Sequence, residues 1–309
     1  MRKLFYILLF IFPAMMSGQD EVSITNGRIT VRQDLSRGGA ISFISGGGSN
    51  RNLVNIYDEG RYIQQSYYAG CKVNRIGAGQ SPSWSPWNWN PIQGGNFARC
   101  RARILNHNVT DSTIYVSCVP MLWDMDNAEA DAVMEQWTEI EGNVIKVRNR
   151  IAIDSIPDIY RPYRANDQEI PAVYPISSLN ILHTYIGDRP WTGEKTVTPE
   201  VIELKENMKD SFWGRYPDIP EKWMAFTDKS GFGMGIYSPR ATRFLAGRYT
   251  SDTTGGDKSL STSYIAPLTT MKLRPGSVCE YDYYIILGDI GEIRKEIYRI
   301  HKKENNINH

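Results

Sequence analysis

The segment Ala132–Ile153 constrains this chain more than any other. Two runs of alternating side chains, Ala132–Ile140 and Val144–Ile153, flank the turn Glu141-Gly142-Asn143. β-Branched and aromatic residues on either side of a Gly-Asn corner specify a long antiparallel hairpin. Similar runs recur at Val22–Val31, at Ala40–Ile44 after Gly38-Gly39, and at Ile114–Val119, Leu179–Ile186, Trp223–Thr227, Gly233–Tyr237 and Tyr281–Leu287. Helical periodicity occurs once: Ile290, Ile293, Ile297 and Ile300 recur at spacings of three and four and predict a short amphipathic helix at the C-terminus. Strands this closely spaced, without intervening helices, exclude a Rossmann or α/β-barrel fold and predict an all-β chain, a large β-sandwich. The glycine clusters Gly46-Gly47-Gly48 and Gly231-Phe232-Gly233-Met234-Gly235 then read as hairpin turns or bulges, since neither opens a helix that could cradle a phosphate.

The amino end carries a different signal. Arg2 and Lys3 precede the apolar run Leu4–Ala14, and the small residues Ser17 and Gly18 stand just before Gln19-Asp20. That order predicts a signal peptide over residues 1–18, cleaved near Gly18–Gln19. The run is shorter than the roughly 20 residues that cross a bilayer. The expectation is therefore a secreted or periplasmic product with no membrane span. Loss of Arg2 and Lys3 leaves 33 Lys and Arg against 34 Asp and Glu, which excludes the positive footprint of nucleic-acid binding. Cys71, Cys100, Cys118 and Cys279 fit no zinc spacing, and in an oxidising compartment they permit up to two disulfides. Asp124, Asp126, Asn127, Glu129 and Asp131 match a calcium loop only at its first two ligand positions and read as a solvated acidic loop. No metal and no cofactor is predicted.

The most unusual stretch is Ser81–Gly95, where Trp84, Trp87 and Trp89 stand among Pro82, Pro86 and Pro91. Proline denies this stretch a central strand, so a rigid loop is expected. Indole faces on a rigid loop suit sugar rings, with Asn88, Asn90, Gln93 and Asn96 to bond the hydroxyls. The plainer reading is a hydrophobic plug, but tryptophans interleaved with asparagines favour binding. Trp123, Trp191 and Trp213, in polar loop-like surroundings, would extend the cleft. Polar groups are equally dense in Tyr57-Asp58-Glu59-Gly60-Arg61 with Gln64-Gln65-Ser66-Tyr67-Tyr68, in Asn166–Glu169, from His183 through Asp188 to Trp191, and in Glu221-Lys222-Trp223. Such groups are costly to bury unpaired, so they line a site or form a buried network.

Glycoside hydrolysis commonly uses two carboxyl groups flanking the scissile bond. Glu169 leads the candidates, because it lies between polar residues and an apolar strand, where desolvation raises a carboxyl pKa. Its partner is expected near Asp58 or Glu221, with His183 a further catalytic candidate. Substrate contacts are expected from Arg61, Gln65, Tyr67, Trp84, Trp87, Trp89, Asn90, Gln93, Gln168, Asp188 and Trp191. A lyase or epimerase would instead use Tyr67 or His183 as a base beside Arg61. No G-x-S-x-G motif supports a serine nucleophile.

Asn26-Gly27 through Val31, followed by Arg37-Gly38-Gly39-Ala40-Ile41-Ser42, resembles the first hairpin of galactose mutarotase-like domains. The hairpin Val133–Ile153 is similar to that superfamily's central strands. The blocks Asp58–Arg61, Gln64–Tyr68, Trp89–Gln93, Gln168–Tyr174 and Gly187–Trp191 resemble those of uncharacterised secreted proteins of bacterial glycan-degrading systems. The resemblance implies a β-supersandwich over residues 19–309 as one carbohydrate-active domain. It also implies a histidine acid and a glutamate base, roles for which His183 and a glutamate are candidates but which no local match assigns to particular residues here. The expectation is a protein that takes a glycan in a cleft lined by the Trp84–Trp89 loop. Hydrolysis through paired carboxylates leads; binding alone, or lyase or epimerase chemistry, are the alternatives.

Overall fold

The computed structural model describes residues 20–196, 212–251 and 255–307, so the predicted signal peptide lies outside the described residues. The chain opens with β1 (Glu21–Thr25), β2 (Thr30–Asp34), β3 (Ala40–Ser45), β4 (Ile63–Ser66) and β5 (Ala69–Val73). The tryptophan-rich stretch supplies β6 (Trp87–Trp89) and β7 (Pro91–Ile92), followed by β8 (Arg103–Val109), β9 (Thr113–Val119) and β10 (Met121–Leu122). The predicted hairpin is β11 (Ala132–Glu141) and β12 (Val144–Ile153), turned by Gly142 at φ 62°, a conformation glycine adopts without a Cβ clash. Then come β13 (Asn166–Val173), β14 (Ile181–Thr184), β15 (Phe212–Tyr216), β16 (Trp223–Thr227) and β17 (Gly233–Tyr237). β18 (Arg243–Tyr249), β19 (Thr262–Met271), β20 (Val278–Gly288) and the helix α1 (Ile290–Ile307) complete the chain.

The strands form two large antiparallel sheets. One runs β1-β2-β3-β4-β13-β19-β18-β15, with β7 and β10 attached beside β4; the other runs β14-β16-β17-β20-β12-β11-β9-β8. Side chains alternate faces along a strand. Val31, Ile41, Ile44 and Ile63 of the first sheet therefore meet Val116, Val147, Ile236 and Ile285 of the second in the main core. This is the large β-sandwich that the strand pattern predicts.

The two outer faces are finished differently. On the second sheet, Trp223, Tyr237, Tyr284 and Ile286 lie beneath Ile293, Ile297 and Ile300 of α1. Asp289 and Glu292 each accept the other's backbone N–H, a reciprocal cap that starts the helix. Gly233 and Gly235 lie within β17, the strand expected over Gly233–Tyr237, and not in a turn as the glycine cluster suggested. A Cβ on Gly235 would stand 2.4 Å from Ile293 Cγ2, so the close approach of α1 requires glycine there. On the first sheet, Ala172, Tyr264, Ala266 and Leu268 form an outward apolar patch joined by Tyr174 and Leu245. That patch is the floor of the candidate site.

All four cysteines are unpaired. Among the described residues, no helix is long and apolar enough to cross a membrane.

Candidate functional site

Three neighbouring strands build the floor. Register places Ser66 of β4 opposite Glu169 of β13, and Glu169 opposite Leu268 of β19, in one row across the first sheet. Gln64 and Ala172 pair in the next row. A register shift between Glu169 and Ala172 marks a β-bulge, and it brings two residues three apart onto the same face. Ile170 and Val173 turn the other way, into the main core. The resulting pocket has a volume of about 210 Å³ and is walled by Tyr68, Trp84, Trp87, Trp123, Tyr174 and Tyr264.

Glu169 supplies the pocket's one carboxyl among the lining residues. It is half-buried, and Tyr264 Oη donates to its Oε1 at 2.6 Å. Burial pushes the Glu169 carboxyl up from its ordinary range, while the hydroxyls of Tyr264, Ser66 and Tyr68 oppose the rise without cancelling it. Among the described residues, the Tyr264 hydroxyl alone is aligned on it as a hydrogen bond. Ser66 Oγ stands buried beside the carboxyl with no hydrogen-bond partner.

The walls come from the tryptophan loop. Trp84 meets Trp87 edge-on at 5.2 Å and Trp123 at 5.4 Å, and Tyr68 meets Trp87 at 6.3 Å, geometries that aromatic quadrupoles favour. Asn90 fixes this wall: its Oδ1 accepts from Trp87 Nε1 while its Nδ2 donates to the Tyr67 carbonyl. On the opposite rim, the Arg61 guanidinium lies 5.1 Å from the Tyr174 ring centre and 3.9 Å from Asp58. Tyr174 in turn packs on Tyr264 at 4.7 Å.

Other residues expected at the site lie elsewhere. Gln65 and Tyr67 alternate with Ser66 and Tyr68 and turn into the sandwich, where Tyr67 Oη donates to Gln65 Oε1. Gln93 accepts from Gln65 N and donates to the Gly38 carbonyl, so it braces loops. Gln168, opposite in parity to Glu169, grips both backbone groups of Tyr68. Trp89 is core, 1% exposed, because β6 pairs it with Ala69 of β5. The Ser81–Gly95 stretch is thus not wholly loop: it holds a 3₁₀ turn at Pro82–Trp84 and two short strands.

Glu221 lies on the far side of the sandwich and is fully buried. It accepts from Arg294 Nε and Nη2, Tyr298 Oη, Trp223 Nε1 and Trp191 N, at 2.5–3.0 Å. Desolvation acts to raise its pKa, but these donors outweigh it and hold the carboxyl low. Every lone pair is engaged, so Glu221 anchors α1 and has no room for a substrate. Trp191 stacks on His301 of that helix at 3.5 Å and belongs to the same anchor. His183 sits on edge strand β14, its Nε2 2.9 Å from Thr227 Oγ1, and burial lowers its pKa. Asp188 is exposed in a turn. The Trp213 backbone lies in β15 rather than a loop.

Tyr264 is the wall residue that sequence reading missed. Its signal was the outward alternation Tyr264, Ala266, Leu268, masked by Pro267 in the middle of β19. A larger groove of about 740 Å³ lies at one end of the sandwich, between the Gly47-Gly48 turn and the start of α1. Its polar lining carries no buried titratable group. Among the described residues, no three His, Cys, Asp or Glu side chains gather to hold a metal ion.

No protein-family model and no curated protein sequence matches the chain. Solved structures do. A galactose mutarotase-like protein from Lactobacillus casei is 11% identical with a TM-score of 0.49, over 87% of this chain and 100% of that one. A galactose mutarotase related enzyme from Lactobacillus acidophilus is 10% identical with a TM-score of 0.48, over 87% and 97%. Both likenesses are of fold alone.

Proposed function

We propose that this protein is a carbohydrate-active enzyme that holds one sugar ring against the open face of the first sheet and exchanges a proton with it through Glu169. One observation carries this reading: a carboxyl raised in pKa by burial sits on the floor of an aromatic pocket. A raised carboxyl moves protons near neutral pH more readily than an ordinary one. Indole and phenol rings offer the C–H stacking faces that sugars use. At about 210 Å³ the pocket is smaller than the roughly 300–1,000 Å³ of drug-sized ligand sites, which suits a single ring.

With one carboxyl in the lining, the geometry favours acid–base chemistry of the mutarotase or epimerase kind over paired-carboxylate hydrolysis. In mutarotation, Glu169 takes the proton of the anomeric hydroxyl, the O–H electron pair becomes the second bond of the aldehyde C=O as the ring C–O bond breaks, and solvent water gives the ring oxygen its proton. Hydrolysis is the second reading, favoured by Asp58 on the rim beside Arg61.

The test incubates the purified protein with single anomers of free aldoses, followed by polarimetry, and with oligosaccharides, followed by reducing ends. Interconversion of anomers or epimers is expected, reduced about 10²- to 10⁴-fold in Glu169→Gln. New reducing ends that disappear in both Glu169→Gln and Asp58→Asn would replace this reading with hydrolysis. Binding without product leaves a glycan-binding protein, and no binding removes the carbohydrate reading. We propose also that residues 1–18 are removed on export. Amino-terminal sequencing of the exported protein is expected to begin near Gln19, and a product in the culture fluid or periplasm that still starts at Met1 refutes cleavage.

A further inference from the structure

The floor of the pocket divides the two oxygens of Glu169 between different tasks. Oε1 accepts the Tyr264 hydroxyl at 2.6 Å. Tyr264 is itself held on β19, 2% exposed and packed on Tyr174, so its hydroxyl has little freedom to leave. Among the described residues no hydrogen bond is aligned on Oε2, and the Ser66 and Tyr68 hydroxyls stand near the carboxyl. Directly across the ladder, Ser66 lines the same pocket, and its Oγ is buried and unpartnered. A buried hydroxyl without a partner carries an uncompensated desolvation cost. Such a group persists where a partner arrives with the ligand, and a serine hydroxyl reaches new partners by turning one bond among staggered positions.

We infer that Tyr264 is a positioning residue that reserves Oε1, leaving Oε2 as the oxygen that exchanges the proton, and that Ser66 Oγ receives the reacting hydroxyl of the ligand. This rests on the sugar-pocket reading and assigns the parts within it. A ligand hydroxyl lying between Oε2 and Ser66 Oγ gives its proton to Oε2, and the Ser66 O–H donates to that ligand oxygen as the freed electron pair becomes its carbonyl bond and the ring C–O bond breaks. Tyr264 holds the carboxylate still and touches no reacting atom.

Two variants test the assignment. Ser66→Ala removes an unpartnered buried group, so the melting temperature of the free protein is expected to stay level or rise. Affinity for the aldose that binds wild type best, measured by calorimetry across D-glucose, D-galactose, D-mannose, D-xylose and L-fucose, is expected to fall about three- to tenfold. A serine serving the fold alone would give the opposite pair, a lower melting temperature and unchanged affinity, and that result overturns the Ser66 assignment. Tyr264→Phe keeps the ring and removes the hydroxyl. Loss of a donor to the ionised form raises the Glu169 pKa, so the Glu169 limb of the pH–rate profile is expected to move to higher pH with KM nearly unchanged. The same upward shift is expected in a carboxyl-carbon NMR titration of Glu169, which needs no turnover. An unmoved titration overturns the Tyr264 assignment whether or not sugars react. If wild type binds none of the five sugars, the pocket reading falls, and the Ser66 assignment falls with it.

Discussion

Glu169 and Glu221 are carboxylates on opposite outer faces of one sandwich, and their surroundings push them in opposite directions. Glu221 meets an arginine fork, a phenol, an indole N–H and a backbone N–H under a capping helix, and its pKa is lowered. Glu169 meets hydroxyls and no cation in its pocket, and its pKa is raised. Burial alone therefore does not mark a reactive carboxyl. The side whose polar demand has been met by the protein is architecture, and the side left short is available to a ligand.

The largest effect expected from this contrast is on stability. Removing one partner of a buried ion pair leaves the other uncompensated, so Glu221→Ala is expected to cost about 3–5 kcal/mol in urea unfolding. Glu169→Gln, which keeps shape and an acceptor for Tyr264, is expected to change it by less than about 1 kcal/mol. Comparable losses at both sites would erase the distinction between them.

The pH dependence separates the two sites by sign. The folded pKa of Glu221 lies below its ordinary 4.5, so its contribution is present above that pH and is lost as pH falls through the folded value. For Glu169 the folded pKa lies above 4.5, so its contribution is present below that pH and is lost as pH rises through the folded value. Relative to wild type, Glu169→Gln is therefore expected to gain stability as pH is raised from 4.5 toward neutral. Melting curves across that range check this, and parallel curves would remove the raised pKa from the description.

The last contrast, whose smaller member is the smallest effect expected, is between two tryptophans. Trp87 walls the pocket, and Trp87→Ala is expected to weaken sugar binding about tenfold with a modest change in melting temperature. Trp89 is core, and Trp89→Ala is expected to act on folding, at about 3–5 kcal/mol. Calorimetry and unfolding on both variants read the two axes separately.

Much of this was legible beforehand. The β11–β12 hairpin, β16, β17 and the isoleucine stripe of α1 carry their periods openly, because each pairs locally or buries one clean face. Glu169, Trp84, Trp87 and Asn90 were visible as a polar–aromatic concentration. What stayed hidden has two causes. Pro171 and Pro267 disguise β13 and β19, the two strands that meet at Glu169, as breaks in the pattern. The dense run Gln64–Tyr68, which begins in β4 and runs just past it, announces a site without announcing its parity, so Gln65 and Tyr67 look favoured over Ser66 and Tyr68. Glu221 looked available because its arginine stands 73 residues later.

The bulge in β13 has a consequence for how this site can change. It splits the strand into two halves whose inside–outside phase is set independently, the first carrying Glu169 and the second carrying Ala172 and Val173. The first half can drift in sequence while the second keeps its core contacts. A single-residue deletion at the bulge would rejoin the phases and turn either the carboxyl inward or the core outward. The pocket is thus open to substitution and nearly closed to length change, so among divergent copies of this chain the chemistry of the floor should vary more freely than the spacing between Glu169 and Val173.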